Sequence, residues 1–536
     1  VKGVAAAAAL IAVITMAARV AGFGRYLVQS SALGNGCLNT AYSTANYVPN
    51  IVFELVAGGA LAGMVVPVLA AAAADPARRE EAGRIASALL TWVTVVLVPL
   101  TVLIAVLAEP IVRLLTGDDV PGCRVEQVVG VGADMLRVFA ARMLFFGWAV
   151  VLYGVLQAHR RFLGPALAPL VSSLLIVGSY VAFLPVARDA QGDLGRLSEA
   201  GELTLSLGAT VAAAGMVLTV LGPVARLRLR WRPSLRFPPG VAARARALGL
   251  AGVAVLVAQQ VALVVAIRLA NDAGGAGAVP VYSYAWALLQ LPYAVLAVPI
   301  GTSAFPALST RAAEGDKAGF AALAAAGTRA VLLLSGLAAG VMAAVAIPVA
   351  RVFMLGTAGA GPEMMAWGVA LFAPGLIGYS ALFHLGRVLY SAGHGRAAAT
   401  ATVTGWLVTL AAQPLFVLPA RGPEQVVGGL ALGGTLGMTV GGVLICLAVR
   451  RAHGSAALAG CGRALAAAVA GAAVACLAGM GLAWPLADLG RWGSVAAAVA
   501  VAVVAAGAFL GAALGLDRGD VRDALGRVLH RGGGHG

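Results

Sequence analysis

The chain has 536 residues, of which 61% are hydrophobic and only 11% charged, and its formal net charge is +15. An ordinary soluble domain carries about 25% charged residues, so this composition excludes one and places the chain among proteins that cross a membrane many times. The positive charge is then read as basic residues in cytoplasmic loops rather than as a nucleic-acid footprint.

With a ruler of about 20 apolar residues per span, about fourteen spans are predicted. The first six lie near 4–28, 38–72, 85–108, 127–157, 163–186 and 202–222. Eight more lie near 243–270, 281–308, 329–350, 364–391, 397–419, 425–449, 461–483 and 493–515. The fold class expected is an all-α polytopic membrane protein. The first span, behind Lys2, reads as an uncleaved helix rather than a signal peptide, because its apolar pattern continues to Val28. The second is long enough to need a tilt or a break.

Loop arginines favour an N-in, C-in topology. Connections placed inside, such as Arg78–Arg79–Arg84 and Arg450–Arg451, hold about three times as many basic residues as those placed outside. The predicted organisation is an N-terminal lobe over 1–222, a basic cytoplasmic linker over 223–242 and a second lobe over 243–450. Two additional helices follow over 451–516, and then a cytoplasmic polar tail over 517–536. The linker, RLRLRWRPSLRFPPG, alternates basic and apolar residues; it reads either as a plain positive-inside connection or as a strip beside anionic headgroups. The two lobes share a faint repeat: AYSTANYVPN, ending at Pro49-Asn50, has a counterpart in VYSYAWALLQLP, ending at Pro292. Helix-breaking residues at corresponding places of two repeats point to a transporter site.

Charged and amide residues within spans are expensive in lipid and mark candidate sites. In the first span Arg19 and Arg25 stand six positions apart, about 9 Å along a helix and about 120° around it. Gly22 and Gly24 between them are expected to loosen it. In the second span Asn46, Asn50 and Glu54 share one face at four-residue spacing, and Pro49 frees a backbone carbonyl beside them. Glu54 reads as a buried carboxylate with Arg19 as its partner. Arg137 and Arg142, Arg268 with Asp272, Gln290, His384 and Arg387 complete the polar inventory, with Asp134–Arg137 as a local pair. The five cysteines show no CxxC or metal spacing and read as small core residues. No nucleotide, zinc or nucleophile motif is present, so neither an ATP-driven pump nor an enzyme of a familiar type is expected.

At ARVAGFGRYLVQSSALG, NYVPNIVFELVAGGALAGMVVPVLA, RRFLGPALAPL and YAWALLQLPYAVLAVPIGTSAFPALS the chain resembles the MurJ (MviN) family of lipid II flippases. That family lies within the multidrug/oligosaccharidyl-lipid/polysaccharide exporter superfamily. The resemblance runs from about residue 15 to the tenth span. It implies two pseudo-symmetric lobes around a central cationic cavity that alternates between inward and outward states, and a groove for a polyprenyl tail beside the last two helices. It also implies a bacterial cytoplasmic-membrane location and a lipid-linked diphosphate oligosaccharide as substrate. Membrane lipids and cell-wall synthesis proteins would be its partners, and membrane potential or a coupled ion would drive it without a cofactor or metal. Substrate-binding residues are then expected at Arg19, Arg25, Asn46, Asn50, Glu54, Arg142, Arg268, Gln290 and Arg387, with Gly22, Gly24, Pro49 and Pro292 as hinges or helix breaks. Departures from the family pattern are Phe53-Glu54 in place of a basic pair, Gly58 in place of an acid, Ala287 in place of an arginine and Gln290 in place of an acid. An ion-coupled small-molecule exporter with Glu54 as coupling acid, and a non-transporting cell-wall scaffold, remain the alternatives.

Overall fold

In a computed structural model, residues 2–55, 62–237, 253–486, 489–517 and 519 are described. Gly58, the end of the basic linker (238–242), the start of the expected span at 243–270 and nearly all of the polar tail lie outside these residues. The described chain is helical, with no strand and a single isolated bridge between Asn35 and Gly359. Such architecture is what lipid demands, because helices satisfy every backbone polar group internally.

The helices in order are α1 (Lys2–Leu33), α2 (Cys37–Phe53), α3 (Ala62–Ala74), α4 (Arg79–Val106), α5 (Ala108–Thr116), α6 (Val125–Phe139), α7 (Ala141–Ala158), α8 (Leu163–Ala187) and α9 (Glu199–Ala225). After the basic segment come α10 (Val253–Leu269), α11 (Ala278–Pro292), α12 (Val298–Glu314), α13 (Lys317–Ala344), α14 (Ala346–Met354) and α15 (Pro362–Phe372). The last five are α16 (Gly375–Ser391), α17 (Gly395–Val417), α18 (Pro423–His453), α19 (Cys461–Ala483) and α20 (Arg491–Leu516).

Twelve helical stretches among the described residues are long and apolar enough to cross a membrane, and α15 with α16 makes a thirteenth span bent by 44°. The expected span near 38–72 consists of α2 and α3, each shorter than 18 residues. Pro49 sits inside α2, whose last residues pass into a π-turn at Glu54. Pro292 ends α11 and is followed at once by a π-turn, Tyr293–Ala297. Removing one backbone donor inside a helix favours such a local widening. The expectation for Gly22 and Gly24 is not met: α1 runs through both without interruption.

The chain forms two compact units. One holds residues 1–260 together with 275–280 and 357–359; the other holds 261–274, 281–356 and 360–536. In the first unit, Val65 and Leu69 of α3, Ile85, Leu89 and Val93 of α4, Val151 and Val155 of α7 and Val220 of α9 form the core. In the second, α13, α19 and α20 pack through Leu332, Ala467, Ala475, Val501 and Phe509. A separate cluster joins Leu308, Phe320, Leu385, Ile445 and Val449. Small residues set the helix spacing there. A Cβ on Gly437 would fall 1.9 Å from Thr409 Oγ1 and 2.4 Å from the Gly405 carbonyl, so α17 and α18 meet backbone to backbone.

One expectation about the cysteines is overturned. Cys37 and Cys123 form a disulfide across 86 residues, joining the start of α2 to the loop before α6. Cys446, Cys461 and Cys476 lie outside this disulfide, and of these Cys461 is buried. The pair lacks a motif because its partners meet only in the fold; the available signal was that both flank loops placed on the outer side.

Candidate functional site

The first unit gathers most of the expected residues. Arg25 on α1 is half-buried; its guanidinium lies 5.0 Å from the Tyr26 ring and donates to the Tyr26 hydroxyl at 3.3 Å. Arg142, near the start of α7, is 5% exposed and donates through Nη1 to the side-chain carbonyl of Asn46 on α2. Phe139 and Phe146 flank its guanidinium at 5.2 and 5.3 Å, and its Nε has no hydrogen-bond partner. The Tyr42 and Tyr180 phenols lie in the surroundings of both arginines. Among the described residues neither arginine has a carboxylate partner. An enclosed Arg142 guanidinium without a carboxylate partner among the described residues, with half-buried Arg25 on the neighbouring α1, forms a site that an anion would relieve.

A hydrogen-bonded network fixes the scaffold around this pair. Gln29 Nε2 donates to Asn39 Oδ1 at 2.9 Å and to Ser43 Oγ at 3.2 Å, and the Tyr180 hydroxyl donates to Gln29 Oε1 at 3.3 Å. The Tyr42 and Tyr180 hydroxyls lie 3.1 Å apart, and Ser43 donates back to Asn39. These residues were not expected as a site. Their signal was present: Asn39, Ser43, Asn46 and Asn50 recur at helical spacing and make one polar stripe along α2.

Other expected residues lie apart from the pair. Arg19 is exposed, and Asn50 is half-buried on α2. Glu54, expected as a buried carboxylate, is exposed and makes no ion pair with Arg19. Arg137 pairs with the adjacent Asp134 on the exposed side of α6, as a local i, i+3 pair. In the second unit, Arg268 pairs with Asp272 one turn on, at the π-turn Ala270–Gly274 that ends α10. Arg387 is half-buried, 5.0 Å from the Phe383 ring and 5.7 Å from Phe305. Gln290 and Ala287 are half-buried on α11. Near them runs an aromatic chain in which Trp286 contacts Tyr379 and Trp406, and Tyr379 contacts Tyr293 at 4.5 Å. His384 is fully buried on α16. No group of three or more His, Cys, Asp or Glu side chains that could hold a metal occurs among the described residues.

Comparison with known proteins gives the frame for this geometry. The family model for lipid II flippase MurJ matches residues 29–498. A probable lipid II flippase MurJ of Synechocystis sp. is 29% identical over 248 residues, which cover 45% of this chain and 44% of that protein. The lipid II flippase MurJ of Burkholderia cenocepacia is 26% identical over 371 residues, covering 68% of this chain and 69% of that protein. A third relative, the probable lipid II flippase MurJ of Bdellovibrio bacteriovorus, is 29% identical and is spanned over 58% of its length. Among solved structures, a lipid II flippase MurJ in an inward closed conformation superposes with a TM-score of 0.70 at 15% identity, covering 93% of this chain and 98% of that one. An inward-facing multidrug-resistance MATE transporter of the MOP superfamily superposes with a TM-score of 0.66 at 16% identity, over 82% of this chain and 95% of that one. At these identities the structural likeness concerns the fold.

Proposed function

The chain belongs to the MurJ lipid II flippase family, and from that premise we propose that it carries lipid II from the inner to the outer leaflet of the bacterial cytoplasmic membrane. The observation that carries this reading is Arg142, 5% exposed and with no carboxylate partner among the described residues, together with the half-buried Arg25 of α1. A polyprenyl diphosphate headgroup offers the complementary charge. Guanidinium groups bind such oxygens through charge-assisted hydrogen bonds, roughly twice as strong as neutral ones. In this reading Asn46 orients Arg142, and the Gln29–Tyr180–Tyr42 network holds α1, α2 and α8 in register so that the two charges stay at one depth. Arg19 meets the substrate at another level of α1.

No cofactor is needed on this scheme. An inside-negative potential of about 100 mV favours outward movement of an anion by roughly 4–5 kcal/mol for two charges crossing the full field. The N-in, C-in orientation is part of the proposal, supported by two independent features. Arginines crowd the side of the α4 start and the basic linker. The Cys37–Cys123 disulfide lies at the opposite ends of these spans, and disulfides persist where the compartment is oxidising. Cell-wall synthesis proteins are the expected protein partners.

The test is complementation in a host that depends on this protein. Depletion is expected to trap lipid II on the inner leaflet; Arg25→Ala should insert normally and fail to restore flipping, and Arg25→Lys should restore it in part. Full complementation by both Arg25→Ala and Arg142→Ala would point to a non-transporting scaffold. Loss of function in Glu54→Gln with tolerance of Arg25→Ala would favour the ion-coupled exporter.

A further inference from the structure

Between α9 and residue 237 the chain does not hang free. Arg228, in the left-handed conformation (φ 51°), turns the backbone out of α9, and the segment then climbs along α4 in extended form. Its fastenings fall at Arg79, Gly83, Ser87 and Thr91, four residues apart and therefore on one stripe of α4. Arg79 donates to the Leu227 carbonyl, Ser87 Oγ accepts from Arg232 N at 3.1 Å, and Thr91 Oγ1 accepts from Ser234 N at 3.2 Å. At the top Trp92 Nε1 donates to the Leu235 carbonyl at 2.9 Å. Gly83 lets the segment lie flat, since a Cβ there would sit 3.0 Å from the Arg230 carbonyl oxygen. The side chains of Leu227 and Leu229 are buried, while Arg226, Arg228, Arg230, Arg232 and Arg236 are exposed. None of these five arginines is in an ion pair among the described residues.

The strip's upper end coincides with the start of the lipid-facing surface. From Trp92 onward α4 exposes Val95, Val96, Val102 and Val106, whereas Ile85, Ala86, Ala88 and Leu89 before it are buried. The strip therefore covers about 20 Å of α4, from Arg79 to Trp92, just short of its hydrocarbon-facing part. Trp92 and Trp231, both partly exposed, sit where interfacial aromatics belong. The fold is held by main-chain atoms and two leucines, which leaves the five guanidinium groups without structural work.

We propose that this α4-bound strip is a binding surface for the headgroups of anionic membrane phospholipids. Charge complementarity selects the partner, the row of arginines beside the headgroup layer sets the geometry, and Trp231 anchors the strip at the interface. A row of 4–8 basic residues next to a span is the expected signature of such recognition. The proposal does not depend on which substrate the protein moves.

The full chain is reconstituted in phosphatidylcholine vesicles containing brominated phosphatidylglycerol or brominated phosphatidylcholine. The readout is the part of tryptophan quenching that Trp231→Phe removes. Quenching by the brominated phosphatidylglycerol is expected at lower mole fraction than by the choline lipid, with the preference falling by roughly fivefold per neutralised arginine. The triple variant Arg230→Gln/Arg232→Gln/Arg236→Gln should lose the preference and keep its melting temperature in phosphatidylcholine; Gly83→Leu should lose it with every charge present. Equal quenching by the two lipids in the parent protein overturns the proposal, as does an undiminished preference in the triple variant. Displacement of the glycerol lipid by millimolar inorganic phosphate overturns it too, because the partner would then be a soluble anion. If the triple variant melts early in phosphatidylcholine, single Arg232→Gln repeats the lipid comparison in a folded protein, and an undiminished preference there overturns the proposal.

Discussion

Replacing Arg142 with methionine should leave the protein about as stable, or more so, while it weakens the proposed anion site. The side chain is 5% exposed, its Nε is unbonded, and the Arg25 charge lies nearby. It donates a hydrogen bond to Asn46, and the Phe139 and Phe146 rings flank its guanidinium. Exchanging a buried charge for an apolar side chain of similar volume is neutral or stabilising by about 1–4 kcal/mol. Against this stands the lost bond to Asn46, worth about 1–3 kcal/mol, and Asn46 is only half-buried and can take water. With water in that place the loss is about 1 kcal/mol, so the balance falls between about −1 and +3 kcal/mol for Arg142→Met. Binding should move the other way: one charge-assisted bond to a diphosphate, about 1.5–3 kcal/mol, is on the order of 10- to 150-fold in affinity. Thermal unfolding in detergent and lipid II titration on the same preparation check both signs. A variant that melts clearly lower and binds lipid II as tightly as the parent would refute the reasoning, since Arg142 would then be a structural cation.

Reduction of the protein, or Cys37→Ser/Cys123→Ser, should lower stability by about 2–4 kcal/mol, because the bond closes a loop of 86 residues. The melting temperature should fall, and after reduction a membrane-impermeant maleimide should label both cysteines from outside the cell. Gly437→Leu should prevent assembly of α17 on α18, since even a Cβ would strike the Gly405 carbonyl and Thr409; loss of monodisperse protein in gel filtration checks it. Tyr180→Phe removes the hydroxyl shared by Gln29 and Tyr42 and should cost about 1–2 kcal/mol in unfolding. It should leave lipid II affinity within a few-fold of the parent, because neither arginine uses that hydroxyl as its hydrogen-bond partner.

Spans were legible because hydrocarbon thickness converts directly into run length, and thirteen of the expected fourteen reappear as long helices or as the bent pair α15–α16. The remaining one, near 38–72, is where Pro49 and the glycine-rich run stand. Pairings across distance were not legible. Arg142 meets Asn46 over 96 residues and Cys37 meets Cys123 over 86, and neither local spacing nor propensity encodes such meetings. Burial of individual charges was equally hidden: Glu54 and Arg142 both interrupt apolar runs, yet one is exposed and the other enclosed. A helix in lipid is apolar on nearly every side, so its sequence carries little amphipathic signal to say which face turns inward.

The departures from the family pattern gain a physical meaning from that burial. Phe53 stands where the resemblance leads one to expect a basic residue after Pro49-Asn50, and its ring lies 4.7 Å from Phe146. Phe146 in turn lies 5.3 Å from the guanidinium of Arg142, one helical turn earlier on α7. A positive charge is therefore present in this neighbourhood, carried by Arg142 on α7. Two basic side chains there together with Arg142 and Arg25 would crowd like charges in a low-dielectric space, at a cost that rises steeply with each one added. Aromatic packing at Phe53 thus runs through Phe146 to the cation at Arg142, and the three side chains form one arrangement.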